Sequence, residues 1–103
     1  MLEDTIKAIE KKFGKNTIGI ASEMPWLNLD RLSTGSLALD LVTGGGLPRG
    51  RVIEVFGDES SGKTTLALRC VAEFQKKGEK VVWIDVEGTL DRAWAQLLGV
   101  DLD

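Results

Sequence analysis

Residues 57–64 read Gly-Asp-Glu-Ser-Ser-Gly-Lys-Thr, which fits the phosphate-binding pattern G-x-x-x-x-G-K-[ST]. Gly57 and Gly62 allow backbone conformations closed to residues with a Cβ, so consecutive N–H groups can point at phosphate oxygens. A helix expected from Thr64 to Lys77 adds its unpaired N-terminal amides and the positive end of its dipole. The stretch predicts a loop that binds a nucleoside triphosphate, and a chance match in a glycine-rich turn is the alternative.

The side chains of this loop have separate predicted roles. Lys63 supplies a mobile positive charge for the β and γ phosphates. Mg²⁺ prefers hard oxygen ligands and keeps most of its waters, so the Thr64 hydroxyl is the candidate metal ligand, with Thr65 as a neighbour. The candidate nucleotide-binding residues are Gly57, Asp58, Glu59, Ser60, Ser61, Gly62, Lys63, Thr64 and Thr65.

The segments around the loop predict the fold class. Residues 52–56 form a near-continuous apolar run that is typical of a buried strand leading into the loop, and residues 80–85 form a second such run. A strand, a helix and a strand of these lengths give a right-handed parallel crossover. We therefore predict an α/β protein with an incomplete parallel sheet and flanking helices.

Two elements are predicted before this unit. Apolar residues at i, i+4, i+7 and i+11 place a narrow stripe on a helix that ends at Gly14. These residues are Leu2, Ile6, Ile9 and Phe13. Residues 17–21 alternate loosely like an edge strand that Pro25 closes.

A short helix and a connector complete this region. Residues 33–36 offer N-cap candidates for a short helix that begins at Leu37 and stops at Gly44. The glycine-rich residues 44–50 lack a lysine and precede a strand, so a flexible connector is favoured over a second phosphate loop.

Acidic residues follow the second predicted strand. Ligands bind outside the carboxyl ends of parallel strands, so Asp85, Glu87 and Asp91 are expected beside the phosphate loop. Asp85 also fits a strand-end carboxylate, and Asp91 fits the cap of a last helix that carries Trp94 and ends at Gly99. Glu87 has no such structural explanation and is the candidate general base.

Length and composition exclude several classes of protein. The 103 residues allow one domain at most, and the chain is small for a complete doubly wound fold. No apolar run is long enough to span a bilayer, and the N-terminus lacks a secretory signal. Cys70, the single cysteine, is expected to be a reduced core thiol of a cytoplasmic protein. A net charge of −3 argues against a strong nucleic-acid surface.

Several ordered motifs resemble the N-terminal part of bacterial RecA recombinases over essentially the whole chain. Beside the phosphate loop, the motifs are Lys12-Phe13-Gly14-Lys15, Leu32-Ser33-Thr34-Gly35-Ser36-Leu37-Ala38-Leu39-Asp40, Gly46-Leu47-Pro48-Arg49-Gly50-Arg51, Ile84-Asp85-Val86-Glu87 and Leu98-Gly99-Val100-Asp101. Together they are far more specific than the loop alone.

The resemblance implies roles for particular residues. Lys63 and Thr64 would bind ATP and Mg²⁺, and Glu87 would be the catalytic general base that orients water onto the γ-phosphate. Asp91 and Trp94 match positions that contact adenine. Residues 1–32 resemble the segment that docks on a neighbouring protomer in a filament, and residues 33–103 resemble part of the ATP-binding core. The complete protein would be a DNA-dependent ATPase of recombination and repair that binds single-stranded DNA, without a membrane role.

The chain departs from the family pattern at three places. Asp58 replaces a usual Pro, Gly88-Thr89 replaces His-Ala, and Trp94 replaces a usual Tyr. The second magnesium-organising strand, the phosphate-sensing Gln, the DNA-binding loops and the C-terminal domain of the family are expected beyond Asp103. These departures suggest a divergent, phage-borne member and a fragment of a recombinase.

Other function classes stay open. The chain could be a nucleotide-binding module without hydrolysis, or an interaction fragment whose N-terminal segment docks on full-length protomers. ATP turnover on single-stranded DNA would separate the recombinase from both. Related ATPases such as replicative helicases are a weaker alternative, which the contexts of residues 33–40 and of Glu87 disfavour.

Overall fold

A computed structural model describes residues 1–24 and 29–103 of the chain. The helices are α1 (Leu2–Phe13), α2 (Leu37–Thr43), α3 (Lys63–Lys76) and α4 (Arg92–Leu97), with a 3-10 turn at Ala21–Glu23. The strands β1 (Arg31–Leu32) and β2 (Leu47–Pro48) pair antiparallel, with Arg31 opposite Pro48. The described part of the chain is therefore mixed α and β, and the predicted parallel sheet is absent from it.

The prediction of an N-terminal helix ended by Gly14 is confirmed. Acidic Glu3 and Asp4 lie in the first turn of α1 and basic Lys11 and Lys12 in the last, which complements the helix dipole. No residue of α1 is buried within the described structure, and Phe13 stays 65% exposed. The apolar stripe of α1 therefore faces solvent.

The predicted edge strand at residues 17–21 is wrong. These residues are irregular up to Ile20 and then enter the 3-10 turn, with Glu23 N donating to Ile20 O at 2.9 Å. Met24 is buried and packs so closely on Gly19 that an added Cβ would lie 1.7 Å from its Cε. The segment packs locally on Met24 instead of pairing as a strand. The end of the strand predicted at Pro25 lies outside the described residues.

Helix α2 begins and ends as its sequence predicts. The Ser36 hydroxyl accepts a hydrogen bond from Leu39 N at 3.3 Å, and Gly44 ends the helix in the left-handed conformation. The predicted connector at residues 44–50 contains β2, which the sequence reading missed. Gly46 allows this pairing, because a Cβ there would lie 2.0 Å from Leu32 O.

Helices α3 and α4 build the small core. It consists of Leu68 and Ala72 from α3, Ala95 from α4, and Val100. Arg69 Nη1 donates to Leu98 O at 2.8 Å, which links the two helices. Cys70 is buried and unpaired as predicted, and burial is the main reason why its pKa is raised.

The interior face of α4 differs from the predicted one. The spacing of Trp94, Leu97 and Leu98 in the sequence predicts that they share one face of this helix. Ala95 is fully buried and Leu98 packs on the core, whereas Leu97 is 76% exposed. Ala95 clusters with Leu68 and Ala72 of α3, so the packed face of α4 centres on it.

The strands predicted at residues 52–56 and 80–85 are not formed as a sheet in the described structure. Both segments flank α3 as predicted, but neither makes a backbone–backbone hydrogen bond within the described residues. Val100, near the end of the chain, is a core residue in an irregular segment. The parallel crossover therefore stays a prediction from the sequence.

Candidate functional site

The backbone of residues 57–62 takes unusual conformations that curve the chain before α3. Gly62, the N-cap of α3, has φ 93° and lies in the left-handed region that favours glycine. Ser60 also has a positive φ, of 56°. At Gly57, an added Cβ would come within 3.1 Å of Ser61 Oγ. The loop thus turns sharply into α3 and presents the unpaired N-terminal amides of that helix.

Lys63 is held by the loop that it follows. Its Nζ donates to Gly57 O at 2.6 Å and to Asp58 O at 2.7 Å. These carbonyls fix the ammonium over the loop while Lys63 is only half-buried. The lysine charge therefore already lies at the mouth of the loop.

An open cleft of about 580 Å³ joins the loop to the end of the second predicted strand. Residues 59–65 form most of its lining, and Glu87 completes it. Thr64 is exposed, so its hydroxyl is accessible from solvent. The fold thus brings the predicted general base, the lysine and the predicted metal ligand to one cleft. Asp58 contributes to this region through its carbonyl oxygen.

The other two acids have structural partners. Asp85 Oδ1 accepts from Gly88 N at 3.0 Å and Asp85 Oδ2 accepts from Leu90 N at 2.8 Å, so this carboxylate shapes the loop that carries Glu87. Asp91 Oδ1 accepts from Trp94 N at 3.0 Å and caps α4 as the sequence predicts. Asp85 also lines a second cleft together with Thr64 and Glu87.

One contact was not anticipated from the sequence. The indole Nε1 of Trp94 donates to Thr65 Oγ1 at 3.3 Å, and Trp94 is 41% exposed. This hydrogen bond joins α4 to the first turn of α3. No local pattern signals it, because the two residues lie on separate elements.

The donor set fits a metal that arrives with a nucleotide. The described residues hold no group of three or more His, Cys, Asp or Glu side chains that could bind a metal ion. The exposed Thr64 hydroxyl offers one hard oxygen donor, which leaves most ligand positions of Mg²⁺ to phosphate oxygens and water. The residues present fit a magnesium–nucleotide complex better than a protein-only metal site.

No helix of the described residues is long and apolar enough to cross a bilayer.

The chain is 52% identical to Protein RecA of Clostridium novyi over 103 residues, which is 99% of the chain and 29% of the relative. It is 50% identical to Protein RecA of Thermus thermophilus over 103 residues, 99% of the chain and 30% of the relative. It is 53% identical to Protein RecA of Thermus aquaticus over 102 residues, 98% of the chain and 30% of the relative.

The chain spans about 30% of the length of the curated relatives that it matches. The family model for the RecA N-terminal domain matches residues 1–103. Because this match covers every residue, the chain belongs to the RecA N-terminal domain family.

Proposed function

We propose that this chain binds Mg-ATP and is the ATP-binding N-terminal part of a RecA-type recombinase of homologous recombination and DNA repair. The cleft between residues 59–65 and Glu87 carries this proposal, because it joins a phosphate loop, a lysine and a carboxylate. Family membership supports the proposal, because relatives named Protein RecA are 50% to 52% identical to the chain.

The chain's own residues suggest how the nucleotide would be held. Backbone amides of residues 57–62 and the start of α3 would donate to the phosphates. Lys63 would exchange its bonds with Gly57 O and Asp58 O for the β and γ phosphates. Thr64 would hold Mg²⁺, which screens phosphate charge when bound. Trp94, with Asp91 beside it, would contact the adenine.

Glu87 is the proposed general base. Glu87 lines the same cleft as residues 59–65, which supports a role in activating a water for attack on a γ-phosphate. Among the described residues, its side chain makes no ion pair or hydrogen bond, which leaves both oxygens free to accept from water.

Replacing Lys63 tests the binding site. Lys63→Ala removes the charge that faces the phosphates while leaving the loop backbone intact, so Mg-ATP affinity should fall at least tenfold in calorimetric titration. Lys7→Ala, on the exposed surface of α1, is the matched control and should bind as the unaltered chain does. Equal affinities for the Lys63→Ala variant and the unaltered chain would refute the assigned site.

A second function, docking on a neighbouring RecA-type protomer through residues 1–32, is supported by the unburied apolar stripe of α1. Leu2 is 64% exposed and Phe13 is 65% exposed, although both lie on the apolar face of the helix. A face of this kind is normally covered by another surface.

A further inference from the structure

The loop that carries Glu87 is closed at its base by one side chain. Asp85 Oδ1 accepts a hydrogen bond from Gly88 N at 3.0 Å, and Asp85 Oδ2 accepts one from Leu90 N at 2.8 Å. A single carboxylate thus holds two backbone amides that follow it in the chain. Glu87 lies inside the loop that these two hydrogen bonds close.

The far end of this loop is fixed to the rest of the fold. Leu90 is partly buried and packs on the core that α3 and α4 build. Asp91, the next residue, caps α4 by accepting from Trp94 N. The Asp85 carboxylate therefore ties the start of the loop to a region that packing and capping already hold in place.

Gly88 gives the loop the backbone conformation that this closure uses. Its φ of 66° lies in the left-handed region that favours glycine. Among the described residues, no heavy atom outside its immediate chain neighbours lies within 4 Å of the position that a Cβ would occupy there. The requirement for glycine at this position is therefore conformational and not steric.

The side chain of Glu87 depends on this backbone for its position. It is exposed, and among the described residues it makes no hydrogen bond or ion pair that would orient it. A general base must lie within hydrogen-bond reach of the water that it activates. A misplacement of about 1 Å can cost roughly a hundredfold in rate. The backbone of the loop thus sets where the carboxylate of Glu87 lies, and Asp85 sets the backbone.

We propose that Asp85 is a positioning residue for Glu87, which acts through Gly88 N and Leu90 N and touches neither nucleotide nor water. This role rests on the proposed function of the chain in ATP hydrolysis. Asp85 lines a cleft with Thr64 and Glu87, where a carboxylate could instead bind Mg²⁺ or serve as the base itself. Positioning is favoured because both oxygens of Asp85 already accept from backbone amides.

The first experiment uses a chimera of residues 1–103 and the rest of Clostridium novyi Protein RecA. Asp85→Ala removes both acceptors and should lower kcat roughly tenfold or more, with KM for ATP within about twofold. Asp85→Asn keeps one acceptor and should give an intermediate kcat. Asp85→Ala combined with Glu87→Gln should be no slower than Glu87→Gln alone, because no base is left to position.

A matched pair of glycine substitutions separates positioning from stability. Gly50 has a φ of 67° and, like Gly88, has open space at its Cβ position among the described residues. Gly88→Ala and Gly50→Ala should therefore lower the thermal midpoint by similar amounts. Only Gly88→Ala should lower kcat, by roughly fivefold, because Gly50 lies outside the loop that carries the base.

The two hydrogen bonds are measured in the isolated chain, without nucleotide. Hydrogen exchange followed by NMR should show the amides of Gly88 and Leu90 exchanging roughly tenfold faster in Asp85→Ala than in the unaltered chain. The amide of Leu98, at the end of α4, should exchange equally in both and is the control. Circular dichroism checks that the variant folds.

Three results would overturn the role of Asp85 and leave the proposed function standing. Additive losses in the Asp85→Ala, Glu87→Gln chimera would mean that Asp85 acts directly on nucleotide, metal or water. A raised KM with unchanged kcat would assign Asp85 to nucleotide binding. Unchanged exchange of the Gly88 and Leu90 amides in Asp85→Ala would show that the carboxylate does not close the loop. An unaltered chimera without ATP turnover would instead refute the proposed function, and the role of Asp85 with it.

Discussion

At the scale of single residues, Thr65 links the phosphate loop to the residue expected to contact adenine. Its hydroxyl accepts the Trp94 indole N–H from 29 positions along the chain, at 3.3 Å. Trp94 does not depend on Leu97 for packing, since Leu97 is largely exposed. The indole is therefore oriented by a polar contact and stays partly exposed.

This contact predicts a difference between two substitutions at Thr65. In a background with Trp26 and Trp83 replaced by Phe, Thr65→Val should remove the acceptor and reduce the ATP-dependent change in Trp94 fluorescence by at least half. Thr65→Ser keeps the hydroxyl and should preserve the change. Stacking on the base is worth about 1–3 kcal/mol, so Trp94→Ala should weaken ATP binding about tenfold.

Two outcomes would contradict this account of Trp94. Identical fluorescence responses in the Thr65→Val and Thr65→Ser proteins would show that the hydrogen bond does not orient the indole. Unweakened ATP binding by Trp94→Ala would return the residue to a packing role and leave base recognition unassigned.

At the scale of elements, the turn before α2 is built around one carboxylate. Asp40 Oδ2 accepts from Ser33 Oγ at 2.6 Å, and its Oδ1 accepts from Thr34 N at 2.9 Å and Thr34 Oγ1 at 2.7 Å. Thr34 is fully buried. These hydrogen bonds, led by that from Ser33, lower the pKa of Asp40.

The lowered pKa predicts how stability depends on pH. Because the folded-state pKa lies below the unfolded value of about 4, the contribution of Asp40 is complete above that value and is lost as pH falls through the folded pKa. Asp40→Asn should lower the thermal midpoint at pH 7, with the difference shrinking as pH falls below the unfolded value of about 4. Asp103→Asn, at an exposed position, is the control. An effect of Asp40→Asn that stays constant from pH 7 to pH 2 would contradict the assignment.

Helix α1 is the second element with a testable role. Replacing Ile6 and Ile9 together by Asp places two charges on its apolar stripe. If the stripe docks on a neighbouring protomer, sedimentation should show reduced self-association of the variant. Its circular dichroism spectrum should stay that of the folded protein. Lys7→Asp plus Lys11→Asp changes the charge of the same helix off the stripe and is the control. Unfolding of the Ile6→Asp, Ile9→Asp variant would instead place the stripe in the chain's own core.

At the scale of the whole molecule, the described chain is extended and thinly packed. Its radius of gyration is 19.4 Å and its extents are 62 × 26 × 25 Å. A compact domain of this length would have a radius of about 13 Å. Large apolar side chains such as Phe56, Val82 and Ile84 lie mostly in solvent. Activity that needs a closed site is therefore expected only when further structure covers these surfaces.

This open shape predicts that the isolated chain binds nucleotide, whereas hydrolysis requires the rest of the protein. The chain alone should bind Mg-ATP with negligible hydrolysis and bind single-stranded DNA weakly at physiological salt, given its net charge of −3. A chimera joining residues 1–103 to the rest of Clostridium novyi Protein RecA should hydrolyse ATP. In that chimera Glu87→Gln should keep nucleotide affinity and lose roughly two decades of turnover.

The control in this experiment is Glu59→Gln, which changes a carboxylate on the same cleft without removing the proposed base. Unchanged turnover in the Glu87→Gln chimera would move the base to another residue. Tight binding of DNA by the isolated chain would contradict the separation of roles.

The sequence by itself determined the elements whose signals are local. Helix α1 ends at Gly14, α2 begins after Ser36 and ends at Gly44, and α4 begins after Asp91. These ends can be predicted because a cap acts through atoms within one turn. The helix after the phosphate loop begins at Lys63, one residue before its predicted start. The motif also determined which residues are candidates for the nucleotide site, since their spacing alone carries the pattern.

Only the tertiary structure decided the relations between distant residues. It brought Glu87 and Thr64 to one cleft, joined Trp94 to Thr65, and centred the buried face of α4 on Ala95. Within the described residues, it also left residues 52–56 and 80–85 without the hydrogen-bond ladder that their apolar pattern predicts. A strand needs a neighbour to pair with, whereas a helix satisfies its own backbone, so apolar pattern alone fixes the tendency to be a strand but not the pairing.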